Sequence, residues 1–212
     1  MIKSLVSIGQ SCQSAHQLNR FALKYPDRAI FKKGPFDWLI CPPESACSWL
    51  ASGLEDFSEG EITSYRDHAY WKKHDFWFWH GFYNKDGETP YLDFANTVER
   101  ERSKLAYQRQ QFRVIDPSTT RFVFSNTQNN LSNEVFLANE TDRFFLSADK
   151  YDRLRAALSQ YFQTVVNLCV ISRHDRIDDA LLVKPFVQLL GDEPSQWKGS
   201  DTDWDKALKK LV

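Results

Sequence analysis

The chain has 212 residues, room for one or two domains on a loose scale of about 150 residues each, and no linker-like stretch divides it. Its 27 basic and 28 acidic side chains leave a formal charge of −1, which argues against a nucleic-acid binder driven by clustered basic charge. No run of 18 apolar residues is present, so neither a membrane span nor a membrane partner is expected. The apolar start through Gly9 is too short for an export signal, and a cytoplasmic location follows as an expectation. The surplus is aromatic: seven Trp, eight Tyr and 16 Phe against a single Met.

In chain order, Leu5, Val6 and Ile8, bounded by Gly9, predict a first strand over residues 3–9. Ala15, Leu18, Ala22 and Leu23 predict a helix over 13–24, ended by Pro26. Gly34-Pro35-Phe36-Asp37-Trp38-Leu39-Ile40 reads as a turn into a short extended run. Residues 44–54 read as a helix, with Glu44 in its first turn. In His74-Asp75-Phe76-Trp77-Phe78-Trp79-His80-Gly81-Phe82, positions 76, 78, 80 and 82 share one face of a strand. Trp77 and Trp79 share the other, so both faces are buried. Turn residues follow at Asn84–Gly87 and Thr89-Pro90. Asn96 with Glu99 fits an N-cap for a charged helix reaching Arg113. Residues 121–125 predict a strand, 147–161 a helix capped by Ser147, and 164–171 an apolar strand. The alternation predicts a single α/β domain over 1–212, with a mixed or partly parallel sheet flanked by helices.

Four cysteines need an account: Cys12, Cys41, Cys47 and Cys169. A reducing compartment makes disulfides unexpected, and the spacing does not suit zinc. Cys169 lies in an apolar run and reads as a buried thiol. Cys12 differs, because it follows a strand and opens a helix. A helix N-terminus stabilises a thiolate and offers N–H groups to an oxyanion. Gln10 adds a side-chain donor for that oxyanion. The competing reading is a buried Cys in a tight turn.

A thiol nucleophile needs a base. His16 is one helical turn away, though a surface His is the commoner reading. His80 lies on the aromatic strand, and Asp93, thirteen residues on, is placed to orient it if the two segments pair. Against this stands the commoner role of such a His, a satisfied core residue. A metal site at His68, His74, Asp75 and His80 is disfavoured, because His74 and His80 on one strand are about 20 Å apart. No metal or cofactor is expected. A different geometry needs no His80. Sites in parallel sheets form outside the carboxyl ends of strands. Three such ends are polar: Gly9–Cys12, Ser125–Asn130 and Ser172–Arg176. If the strands are neighbours, Cys12, Asn126 and His174 converge. This arrangement is weakly similar to SGNH-type esterases, but Ser11 lacks their Gly-Asp-Ser block. The arginines of the 97–113 helix read as a solvated face.

Val6–Leu18, followed by Gly34-Pro35-Phe36-Asp37-Trp38, resembles a bacterial family of unknown function classed with papain-like cysteine peptidases. Its pattern is a strand, a Leu-Gly-x-x-Cys turn, a helix and Pro-Phe-Asp-Trp, then a His-Asp-Phe, an Arg-rich helix and a strand. The order matches over roughly residues 5–125. His74-Asp75-Phe76 carries the His-Asp-Phe letters. Around His80 the aspartate is replaced by Gly81. The resemblance implies a papain-like nucleophile at a strand-to-helix turn, in a thiol hydrolase or acyl transferase acting on a peptide or other acyl-bearing substrate. Cys12 is then the nucleophile, His80 the base, Asp93 its orienting partner and Gln10 an oxyanion donor. His74, Asp37, Asn126 and His174 are the alternative site residues. A binding protein that keeps the fold without chemistry is the rival reading.

Overall fold

The computed structural model describes residues 2–58, 60–86, 89–128, 143–191 and 197–212. The chain opens with β1 (Ser4–Ser7), α1 (Cys12–Lys24) and β2 (Ile30–Phe31), then β3 (Leu39–Ile40) and α2 (Pro43–Ala51). Five short strands follow: β4 (Ile62–Tyr65), β5 (His68–Trp71), β6 (Phe76–Phe78), β7 (Tyr83–Asp86) and β8 (Thr89–Leu92). The long α3 (Phe94–Arg113) leads to β9 (Thr120–Ser125). The remainder alternates: α4 (Ala148–Tyr161), β10 (Asn167–Arg173), α5 (Asp179–Leu182), β11 (Val187–Leu190) and α6 (Asp201–Leu211).

Five strands form a parallel sheet in the order β11-β10-β9-β1-β2. The chain leaves β1 toward β2 on one side, and later fills β9, β10 and β11 on the other. The order therefore reverses between β1 and β9, which is a topological switch point. Alternation along each strand divides the core into two layers. Leu5, Val123, Cys169 and Ile171 face Leu18 and Phe21 of α1 and Trp204 and Leu208 of α6. Val6, Phe122, Phe124, Leu168 and Val170 face Trp49 of α2, Phe112 of α3 and Leu154 of α4. Both faces of the sheet are covered, as parallel sheets require.

A second, antiparallel sheet runs β3-β6-β5-β4. Leu39, Ala69, Trp71, Phe76 and Phe78 point from it into the same core as Val6 and Phe122. Trp49 and Trp71 meet edge to face with centroids 5.9 Å apart, and Phe57 meets Trp71 at 5.8 Å. Such edge-to-face pairs suit the ring quadrupole. The opposite face carries Ile40, Tyr70 and Trp77, with Phe144 packed against it. The β7–β8 hairpin stands apart as a two-stranded ribbon.

Several elements differ from the sequence expectation. The predicted strand over 74–82 is only Phe76–Phe78, fully buried on both faces as expected. His74 and Asp75 belong to the turn before it, where Asp75 has φ +62° and donates its N–H to Trp71 O. His80 lies in the turn after it and is exposed, so it does not share a face with Phe76 and Phe78. Phe82, at φ +65°, reverses the chain there. The cap of α3 is Asp93, not Asn96, because the Asp93 carboxylate reaches the Asn96 N–H at 3.2 Å. β10 starts at Asn167 rather than 164. Ser147 does cap its helix, accepting from the Lys150 N–H. Asn129, Asn130 and Gly87 lie outside the described residues. Among the described residues no helix is long and apolar enough to cross a membrane.

Candidate functional site

The turn Ile8–Cys12 leaves β1 at the switch point. Ladder bonding carries it past the end of the strand: Ile8 N–H donates to Val123 O, Ser125 N–H to Gly9 O and Gln10 N–H to Ser125 O. Gly9 has φ +92°, and a Cβ there would come within 3.3 Å of Cys41 O. Glycine fits both constraints. Ser11 is the N-cap of α1 but makes no side-chain cap bond, and Cys12 is the first helical residue. The nucleophile candidate thus stands at a strand-to-helix turn.

Cys12 is 3% exposed and Gln10 is 1% exposed, with Gln10 Oε1 unpartnered. Burial pushes the Cys12 thiol up to about 11, although the N–H groups of Cys12 and Gln13 favour the thiolate. Desolvation therefore outweighs the helix terminus. Cys47 is raised to the same value, and Cys41 and Cys169 are also raised by burial. All four thiols are free.

The three polar strand ends are adjacent, since β1, β9 and β10 are consecutive in the sheet. Asn126 is 1% exposed and fully used there. Its amide nitrogen donates to Phe144 O and Arg176 O, and its oxygen accepts from Ser172 Oγ at 2.6 Å. Arg176 answers by donating to Asn126 O and Gln128 O. His174 opens a short 3₁₀ turn (His174–Arg176) at the same edge and is exposed. Two inter-strand spacings separate β10 from β1, about 10 Å.

The first turns of α1 hold a polar relay that the sequence reading did not single out. Thr127 Oγ1 donates to Gln13 Oε1 at 2.5 Å, and Gln13 Nε2 donates to Trp197 O at 2.8 Å. Gln17 Nε2 reaches Lys198 O, and the His16 ring lies 5.2 Å from that of Trp197. The signal was available: Gln13, Ser14 and Gln17 are polar residues at the buried spacing of an amphipathic helix.

The other named residues lie elsewhere. His80 meets Trp38 edge to face at 5.6 Å, and partial desolvation of the ring, with nearby Lys104, lowers its pKa although the residue is exposed as a whole. Asp93 spends its carboxylate on Asn96 and Asn84, and no hydrogen bond among the described residues joins it to His80. Asp37, 1% exposed, accepts from the Gly34 N–H at 2.9 Å and holds the Gly34–Trp38 turn. Burial pushes its carboxyl up to about 8. His74 is 4% exposed and bonded at both ring nitrogens, to Ser48 and to Glu55. The α3 arginines brace the chain: Arg100 donates to Tyr83 O, and Arg109 to Leu54 O and the Asp56 carboxylate. Among the described residues no group of three His, Cys, Asp or Glu side chains could hold a metal ion. No family model, curated protein or solved structure matches this chain.

Proposed function

We propose that the carboxyl edge of the parallel sheet is a site of acyl chemistry, with Cys12 as the nucleophile of a thiol hydrolase or acyl transferase. The observation that supports this reading is the position of Cys12: the first residue of α1, at the switch point where the order of the parallel sheet reverses. An acyl carbonyl beside Cys12 meets the N–H groups at the start of α1, and these stabilise the oxyanion that forms on attack. The thiol proton must pass to a base. Two histidines belong to elements at this edge: His16, one helical turn beyond Cys12 on α1, and His174, just past β10. His80 is held against Trp38, and Asp93 is committed to the helix cap. The resemblance to papain-like peptidases favours a peptide or other acyl-bearing substrate.

The test is turnover of activated amides and esters by the intact chain. Cys12→Ala should abolish turnover, and either His16→Ala or His174→Ala should lower kcat by about 10²-fold. Full turnover in Cys12→Ala overturns the reading, and a loss confined to His80→Ala moves the base to His80. A second reading, a binding site without chemistry, is favoured by the neutral, buried thiol. It predicts a ligand that stabilises wild type and Cys12→Ala equally, with no product.

A further inference from the structure

Away from the sheet edge, a second nucleophile is wired to a base. Ser48 Oγ lies 2.8 Å from His74 Nδ1, and His74 Nε2 lies 2.8 Å from Glu55 Oε1. Lys73 Nζ sits 2.7 Å from the same carboxylate oxygen. The three residues come from the last turns of α2, the segment after it and the β5–β6 turn. Ser48 itself is exposed, whereas the His74 ring is enclosed between Trp71 and Phe76.

The tautomer follows from the charges. Lys73 and His74 hold the Glu55 carboxyl below its ordinary value, so it is ionised at neutral pH and can only accept. His74 Nε2 must therefore carry the hydrogen. Burial lowers the pKa of His74, which keeps the imidazole neutral and leaves a lone pair on Nδ1. Ser48 is then the donor. A hydroxyl whose proton already points at a neutral imidazole, itself oriented by a carboxylate, is the arrangement that activates a serine. The two ring nitrogens exchange their usual partners here, which leaves the proton transfer unchanged.

We propose that Ser48, His74 and Glu55 form an acyl-accepting triad in which Ser48 is acylated by carboxylic esters. Ser48 Oγ bonds to the carbonyl carbon as its proton moves to His74 Nδ1. The ester C–O bond then breaks, and the alkoxide leaves with that proton. Ser48 lies beyond the first turn of α2, where backbone N–H groups are spent within the helix. Both acylation and deacylation then proceed without help from an oxyanion hole, but an aryl ester expels a far better leaving group than the serine alkoxide, so acylation is the faster step and the acyl-serine accumulates.

Incubation of the full chain with p-nitrophenyl acetate, followed by peptide mapping, tests this. The expected result is acetate on Ser48 in wild type and in Cys12→Ala alike, with Cys12→Ala giving a single burst of nitrophenol and no steady turnover. Ser48→Ala removes that adduct, and His74→Gln lowers its rate by about 10²-fold. Because His74 is buried, Glu55→Gln is the companion variant, and it should slow acylation about tenfold with the fold intact. Acetate absent from Ser48, or an undiminished rate in Glu55→Gln, overturns the proposal.

Discussion

The backbone N–H of Cys41 donates to the carbonyl of Gln10 at 2.8 Å. Two residues that are distant in sequence thereby join the exit of β3 to the turn that follows β1. The Gly34–Ile40 segment reaches this bond because Asp37 closes its turn on the Gly34 N–H. Pro35-Phe36-Asp37-Trp38 acts here as a strut: Phe36 is buried between Trp49 and Phe112, with centroids 5.3 and 5.9 Å away. The strut fixes the strand-end turn through this bond.

Cys12 gives the most direct test of the site's electrostatics. With its thiol raised from 9.0 to about 11, the thiolate fraction at pH 8 falls about 10²-fold below that of an ordinary thiol. Iodoacetamide should therefore label Cys12 slowly at pH 8 and about tenfold faster with each added pH unit. Mass mapping of the Cys12 peptide measures this. A rate that has levelled off by pH 7 would show that the helix N-terminus, not burial, governs the thiol.

Asp93 separates a structural role from a catalytic one. Its bonds from Asn96 and Asn84 hold its carboxyl below the usual range. That stabilisation is present above the ordinary carboxylate pKa and is lost as pH falls through the lowered value. Asp93→Ala should lower the melting temperature by about 2–4 °C, the effect of losing a helix cap in a chain of this size. Turnover, where found, should be unchanged. A kinetic defect with an unaltered melting curve would return Asp93 to the site.

Much of the architecture was legible because it follows from local periodicity. The α1 spacing, the Ser147 cap and the apolar run of β10 each depend on neighbours within a few residues. That the three polar strand ends lie side by side was legible only as a condition, which the strand order β10-β9-β1 meets. What failed was longer in range or lay in turns. The aromatic run 74–82 has the composition of one strand, but positive φ at Asp75 and Phe82 bends it at both ends. Nothing in the side chains of Asp75 or Phe82 demands that conformation. Asn96 fits a capping pattern as well as Asp93 does, and only the course of β8 into α3 selects between them. The Ser48–His74–Glu55 line joins three segments whose proximity no spacing announces.

Asp37 predicts a pH dependence of stability. The unfolded carboxyl ionises near its ordinary value of 3.8, whereas the buried one keeps its proton to about 8. Between those values the unfolded state releases the proton first, so stability is full below pH 4 and declines as pH rises to about 8. Asp37→Asn has no proton to lose. It keeps the acceptor for Gly34 and should gain on wild type by a few kcal/mol from pH 5 to 8, at about 1.4 per pH unit. Denaturant midpoints at the two pH values measure it, and parallel profiles would contradict the burial of a neutral acid.

The turn after β6 is tight around Gly81. A Cβ at Gly81 would lie 3.1 Å from Phe78 Cβ and 3.4 Å from Glu101 Oε2. Glu101 is buried and already paired with Arg100 at 3.2 Å and Lys104 at 3.5 Å. Gly81→Ala should cost about 1 kcal/mol from the tight contact with Phe78 Cβ on β6. Gly81→Asp adds a second carboxylate beside Glu101 and should cost about 2–3 kcal/mol. The excess of Asp over Ala should shrink at low pH, as one of the two carboxyls takes up a proton. Equal denaturation midpoints for the two variants at pH 7 would mean that the aspartate finds another cation, and that Gly81 is not what separates His80 from an acidic partner.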